Sequence, residues 1–293
     1  MRITNSILNR DSLANVQANL RPIARAQSQV STGLRIQKSS DDPAAAAGVM
    51  RTAGSLRALE QYRRNTGAAT GRAAAEEGVL QQLGDALSRA KELGISQNSS
   101  TADPLSNDAT RAEIETLLDF AVSLANTRHG DEFLFGGDTS GVPPIADPAN
   151  PLAQPLPTGA RRAEVGAGRY VTANHDAAEV FGTSGALAAL EQLRTALQAH
   201  DRGAMSASLD SLDAAFGSVQ SLLGETGGRA NQLQVTIANL DSLDVTLRTL
   251  KSDLEEVDLE QAITELVTKQ TAYQAAMLAT SKVLSLNLSD YLR

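Results

Sequence analysis

The chain has no cysteine and no tryptophan among its 293 residues, and only three histidines. Without thiols there is no disulfide framework, no thiolate metal site and no cysteine nucleophile. Aromatic residues make up 3% of the sequence, which disfavours thick α/β cores and sandwiches and favours long packed helices built on Ala and Leu. Positive charge is also scarce: 26 Lys and Arg stand against 34 Asp and Glu, for a net charge of -8. The basic residues are scattered, and the pairs Arg63-Arg64 and Arg161-Arg162 are too sparse for a phosphate-tracking surface, so nucleic acid is not an expected partner. No segment approaches the roughly 18 apolar residues that a membrane span needs. The opening MRITNSILNRDSLANVQANL lacks the apolar stretch of a secretory signal, so a soluble chain is expected that leaves the cell, if it does, without an ordinary cleaved signal.

What is present is helical periodicity, most regular at the two ends. Leu13, Val16, Leu20, Ile23, Gln27, Val30 and Leu34 follow one another at steps of three and four. Ile263, Leu266, Gln270, Tyr273, Met277, Thr280 and Leu284 do the same near the other end. Both are a/d seams of the coiled-coil kind, each with a glutamine near its middle that costs stability and can fix register. Pro22 interrupts the first seam and removes one backbone donor. Stripes this narrow suit helix pairing, with further partners supplied by other copies of the chain.

Between the ends, QVSTGLRIQKSSDDPAAAAG (29–48) reads as a helix end, a short linker and a restart. Asp42 is an N-cap candidate and Pro43 a first helical residue. Asp108 is expected to cap the next helix, and GETGGRAN (224–231) is expected to be a break or tight turn. The stretch 133–181 is rich in Pro and Gly, and RRAEVGAGRYVTANHD within it reads as short strands joined by a turn. The expected fold is mainly α, with long N- and C-terminal helices paired as a coiled coil, a helical rod and a small β-rich insert. The expected division is 1–40 with 255–293, then 41–132 with 182–254, then 133–181.

Candidate chemistry is thin. RHGDE (128–132) groups His129 with Asp131 and Glu132, without the spacing of a metal-ligating motif, and a solvated helix end and turn explains it. FGGDTSG has glycines but no phosphate-cradling pattern. SSDDP would need several more oxygen ligands to hold a cation, and capping explains it at less cost. Neither a cofactor nor an enzymatic activity is expected.

Several stretches resemble the flagellin family: MRITNSIL, QVSTGLRIQKSSDDPAAAA with its Ser31-Thr32-Gly33 and Asp41-Asp42-Pro43, TGGRANQLQ, and EEVDLEQAITELVTKQTAYQAAMLATSKVLSLNLSDYL. The match spans about residues 1–137 and 180–293. The MRIT start, EFLFGG at 132–137 and the modest length are most similar to the family's hook–filament junction members, with a short filament flagellin as the alternative. The resemblance implies an extracellular structural subunit of the bacterial flagellum that assembles through both chain ends. Terminal helices would form an inner layer, the rod a shell and the insert an outer face. It also implies export through the flagellar type III system and neighbours that are copies of the chain, another hook-associated protein and flagellin. An export chaperone would take the C-terminal segment. A helical stalk that presents a ligand-binding insert is a further reading, which no aromatic-rich pocket in the insert supports.

Overall fold

The computed structural model describes residues 2–98 and 104–291. Helix α1 (Arg2–Thr32) runs through Pro22. Helices α2 (Pro43–Gln97) and α3 (Pro104–Ala125) follow. Strands β1 (Arg128–His129) and β2 (Glu132–Phe133) form one antiparallel hairpin, and β3 (Arg162–Gly166) and β4 (Arg169–Thr172) form a second. Helices α4 (Ala186–Gln198), α5 (Arg202–Glu255) and α6 (Leu259–Tyr291) complete the chain. The architecture is mainly α.

The chain divides into two compact units, Met1–Arg57 with Asp244–Arg293, and Ala58–Leu243. In the second unit the core is aliphatic. Leu80, Leu83 and Leu87 of α2 meet Ile114 and Val122 of α3, with Leu187, Leu190 and Leu193 of α4 and Leu212 and Val219 of α5. Phe135, Ile145, Val180 and Phe181 of the segment between β2 and α4 are buried in that same core. Phe135 and Phe181 meet edge to face, 5.3 Å between centroids at 83°, the arrangement that ring quadrupoles favour. A smaller cluster of Ala69, Val165, Val171, Ala173 and Leu233 seats the β3–β4 hairpin on α2 and α5.

Three local expectations are corrected. Asp108 lies inside α3, which begins at Pro104. RHGDE is a tight hairpin and not a helix end: α3 stops at Ala125, and Gly130, at φ +65°, makes the turn between β1 and β2. GETGGRAN is no break, because α5 is continuous from Arg202 to Glu255. There Thr226 is fully buried and its hydroxyl donates to the Leu222 carbonyl, so packing overrides the low helix propensity of Gly224, Gly227 and Gly228.

Candidate assembly surface

In the first unit α1 and α6 pack against each other. Ala26 and Ala262 are buried, while Val16, Ile23 and Val30 on α1 and Leu266, Tyr273 and Thr280 on α6 are half-buried. Leu34 is half-buried just beyond α1 and pairs with Glu256 in an isolated antiparallel bridge. Leu20, Gln27, Ile263, Gln270 and Met277 are exposed. Within one chain alternate members of each seam are half-buried, and the glutamines with the other members are exposed. The side chains of Leu13 and Leu284 lie outside the described residues.

This leaves large apolar side chains on the outside. Leu20 is 45% exposed, Ile263 49%, Val267 54%, Met277 47% and Leu278 70%. Exposed apolar residues scattered singly are ordinary, whereas four of these five lie on α6.

The linker between α1 and α2 ties the two halves of this unit together. Gly33 takes the left-handed conformation, φ +71°, and its N–H donates to the Gln29 carbonyl at 2.8 Å, which ends α1 in the glycine-favoured manner. The Thr32 hydroxyl accepts from the Leu34 N–H and from Gln37 Nε2, and Ser31 is exposed in the last turn. Asp41 accepts from the backbone N–H groups of Gln37 and Lys38 and from Arg25. Asp42 caps α2 at the Ala45 N–H, 3.0 Å, with Pro43 as the first helical residue. Backbone donors, helped by Arg25 and Arg35, hold both carboxyls below the usual carboxylate range.

Arg35, the basic residue of the QVSTGLRIQ stretch, carries the long-range tie. Its Nη1 donates to Asp42, its Nη2 to the Leu254 carbonyl at 2.8 Å, and its backbone N–H to the Glu255 carbonyl at 2.7 Å. The Val257 N–H donates to the Gly33 carbonyl, and Asp258 then caps α6 at the N–H groups of Glu260 and Gln261. The end of α5 is thereby fixed to the turn that starts α2. A basic residue two positions after Ser-Thr-Gly was the available signal.

The second unit holds a buried polar cluster that sequence reasoning missed. The Glu76 carboxylate accepts from the backbone N–H and from Nδ1 of His175. Arg229 lies 3.7 Å from its other oxygen. At the far side of the ring, Nε2 faces both Arg229 (3.2 Å) and Glu225 (3.4 Å). A neutral ring accepts from Arg229 there, and a protonated ring donates to Glu225. Burial alone lowers the pKa of His175, but its hydrogen bond to Glu76 and the charge of Glu76, with Glu225 helping against Arg229, bring the net shift upward. Among the described residues no group of three or more His, Asp or Glu is placed to hold a metal ion, and no helix is long and apolar enough to cross a membrane.

One unit in which the long terminal helices pack against each other, and a second of helices carrying short hairpins, define a mainly helical protein. Residues 3–139 match the bacterial flagellin N-terminal helical region, and residues 209–292 match the bacterial flagellin C-terminal helical region. The chain belongs to the flagellin family. It is 27% identical to flagellar hook-associated protein 3 of Escherichia coli (strain K12), over 93% of this chain and 96% of that one. It is 26% identical to flagellin of Bacillus subtilis (strain 168), over the whole of both chains. Among solved structures, FlgL of Bacillus cereus has a TM-score of 0.59 at 20% identity, over 69% of this chain and 99% of that one. Flagellar hook-associated protein-3 of Legionella pneumophila has a TM-score of 0.62 at 15% identity, over 70% of this chain and 98% of that one. These two share the fold.

Proposed function

We propose that this chain is a structural subunit of the bacterial flagellum, the adaptor that joins hook to filament by self-assembling into a ring at their junction. One observation carries the reading: the α1–α6 pair buries Ala26 and Ala262 within the subunit and leaves Leu20, Ile263, Val267, Met277 and Leu278 outward. Those side chains are what a neighbouring subunit would cover. In this reading residues 1–40 with 255–293 form the inner layer, with the seam residues named above at its contacts. Residues 41–132 with 182–254 form the rod, and 133–181 faces outward. The subunit is exported to the cell exterior, an export chaperone holds its C-terminal segment, and its neighbours are its own copies, another hook-associated protein and flagellin.

Labelling the protein on an intact flagellum tests this. A narrow band at the hook–filament boundary is the expected result. Label along the whole filament would replace the adaptor with a short flagellin, the second reading, which the end-to-end match to a flagellin favours.

A further inference from the structure

The β3–β4 hairpin rests on the helices of the second unit through a small contact. Val165, Val171 and Ala173 meet Ala69 of α2 and Leu233 of α5, and Asn65 Nδ2 donates to the Glu164 carbonyl at 2.8 Å. Just beyond β4 the Asn174 side chain accepts from the Arg161 N–H at 2.8 Å, and His175 turns into the interior. A seat with so little buried apolar surface can open on its own while the larger aliphatic core stays closed.

The charged groups that face the His175 ring come from α2 and α5. Glu76 on α2 holds Nδ1, and the Thr226 hydroxyl on α5 lies 3.5 Å from both. Arg229 and Glu225, one turn apart on α5, share the corner at Nε2. Neighbouring charges are engaged elsewhere: Asp176 accepts from the N–H groups of Gly159 and Glu179, and Arg72 donates to the carbonyls of Phe133 and Leu134.

The Nε2 corner admits one arrangement at a time. A lone pair there takes Arg229, whereas an N–H there takes Glu225 and repels the guanidinium. Two buried atoms beside the ring have no hydrogen-bond partner, Glu76 Oε2 and Arg229 Nη1, and they stand 3.7 Å apart. That gap is too long for a hydrogen bond, and leaving both atoms unsatisfied is costly. A guanidinium expelled from the ring has only this short distance to close.

We propose that proton binding at His175 moves Arg229 from the imidazole to the free oxygen of Glu76, and that this exchange is a latch that tightens the β3–β4 hairpin on α2 and α5. With the ring protonated, Glu76 lies between two cations and Glu225 takes Nε2–H. With the ring neutral, Arg229 returns to Nε2 and Glu76 Oε2 is left unpaired. Burial opposes the charged ring, but Glu76 and Glu225 outweigh both burial and Arg229, so the net direction of the His175 pKa is upward. The latch is therefore fully closed below the ordinary imidazole value and loosens as pH rises through the folded one.

Only three histidines are present, so carbon-13-labelled histidine gives a simple NMR titration of the free subunit, with His175 assigned from His175→Gln. Hydrogen exchange over 162–172, corrected for its intrinsic pH dependence, reports hairpin opening. His175 should titrate above the ordinary imidazole value. Opening should rise with the same midpoint, by about tenfold for each pH unit of that excess, while 187–197 changes less. Arg229→Gln should raise the midpoint. Glu225 has 63% of its side chain exposed, so Glu225→Gln should keep the fold, lower the midpoint and shrink the rise. The latch is refuted if His175 titrates at or below the ordinary value, or if Glu225→Gln leaves the midpoint unchanged. It is refuted equally if hairpin opening is independent of pH, or if 162–172 and 187–197 open together.

Discussion

His175 and Glu76 lie 99 residues apart in sequence and meet in the interior, where Glu76 has 1% and His175 6% of its side chain exposed. The bond fastens the end of the β3–β4 hairpin to α2, and Arg229 and Thr226 of α5 close around it. A buried carboxylate is tolerated only where partners surround it.

This pair makes stability depend on pH. The folded pKa of His175 is raised above the ordinary imidazole value, so the charged latch contributes fully below the unfolded pKa. The contribution is lost as pH rises through the higher folded value. The stability difference between the parent and His175→Gln, measured by urea denaturation, should therefore be largest at about pH 6 and shrink towards pH 9. A difference that stays constant over that range would show that the ring acts only by filling space. Glu76→Gln, which leaves Arg229 uncompensated, should destabilise the unit by about 3–5 kcal/mol.

The glycines of α5 give a prediction of the opposite sign. A Cβ at Gly228 meets nothing within 4 Å, and the residue is exposed within a continuous helix. Gly228→Ala should stabilise the isolated subunit by roughly 0.5–1 kcal/mol, since alanine loses less backbone entropy on entering a helix. Destabilisation in a thermal melt would mean that α5 is broken there in solution.

Residue spacing carried much of the fold. The restart at Asp42-Pro43, the strands around Gly168 and the helix over 186–198 are each set by neighbours within a few positions, through capping, turn chemistry and periodicity. The continuity of α5 was not legible, because three glycines signal a break locally while the buried Thr226 decides the matter through packing. Nor was the face used by α1 and α6. Of the seam residues, Val16, Ile23, Val30, Leu266 and Tyr273 are half-buried within the chain, whereas Leu20, Ile263 and Met277 are exposed. Periodicity shows that a stripe exists and cannot say which half of it meets which partner.

That division of the stripe can be separated by mutation. Ile263→Asp and Met277→Asp change residues that are about half exposed in the single subunit, so thermal stability should move by less than about 0.5 kcal/mol. Incorporation into the flagellum should fail, because a neighbour would have to bury an unpaired charge. Normal motility and filament attachment in both aspartate variants would show that the outward half of the stripe has no partner.

The last prediction concerns when the terminal helices become ordered. Along the described parts of α1 and α6, Ala26 and Ala262 are the buried residues, whereas α4 buries seven of its thirteen. Ordering a residue's backbone costs roughly 1–2 kcal/mol, and two buried alanines return little of that. The contacts that hold these helices must then come largely from neighbours, which couples their order to assembly. In the free monomer, amide hydrogen exchange should be fast over residues 14–32 and 259–282 and slow over 80–93 and 187–197. In the assembled flagellum the terminal segments should become protected, while the inner ones change little. Slow exchange over 14–32 and 259–282 in a chain shown by sedimentation to be monomeric would mean that the α1–α6 pair is stable alone, and the coupling would be refuted.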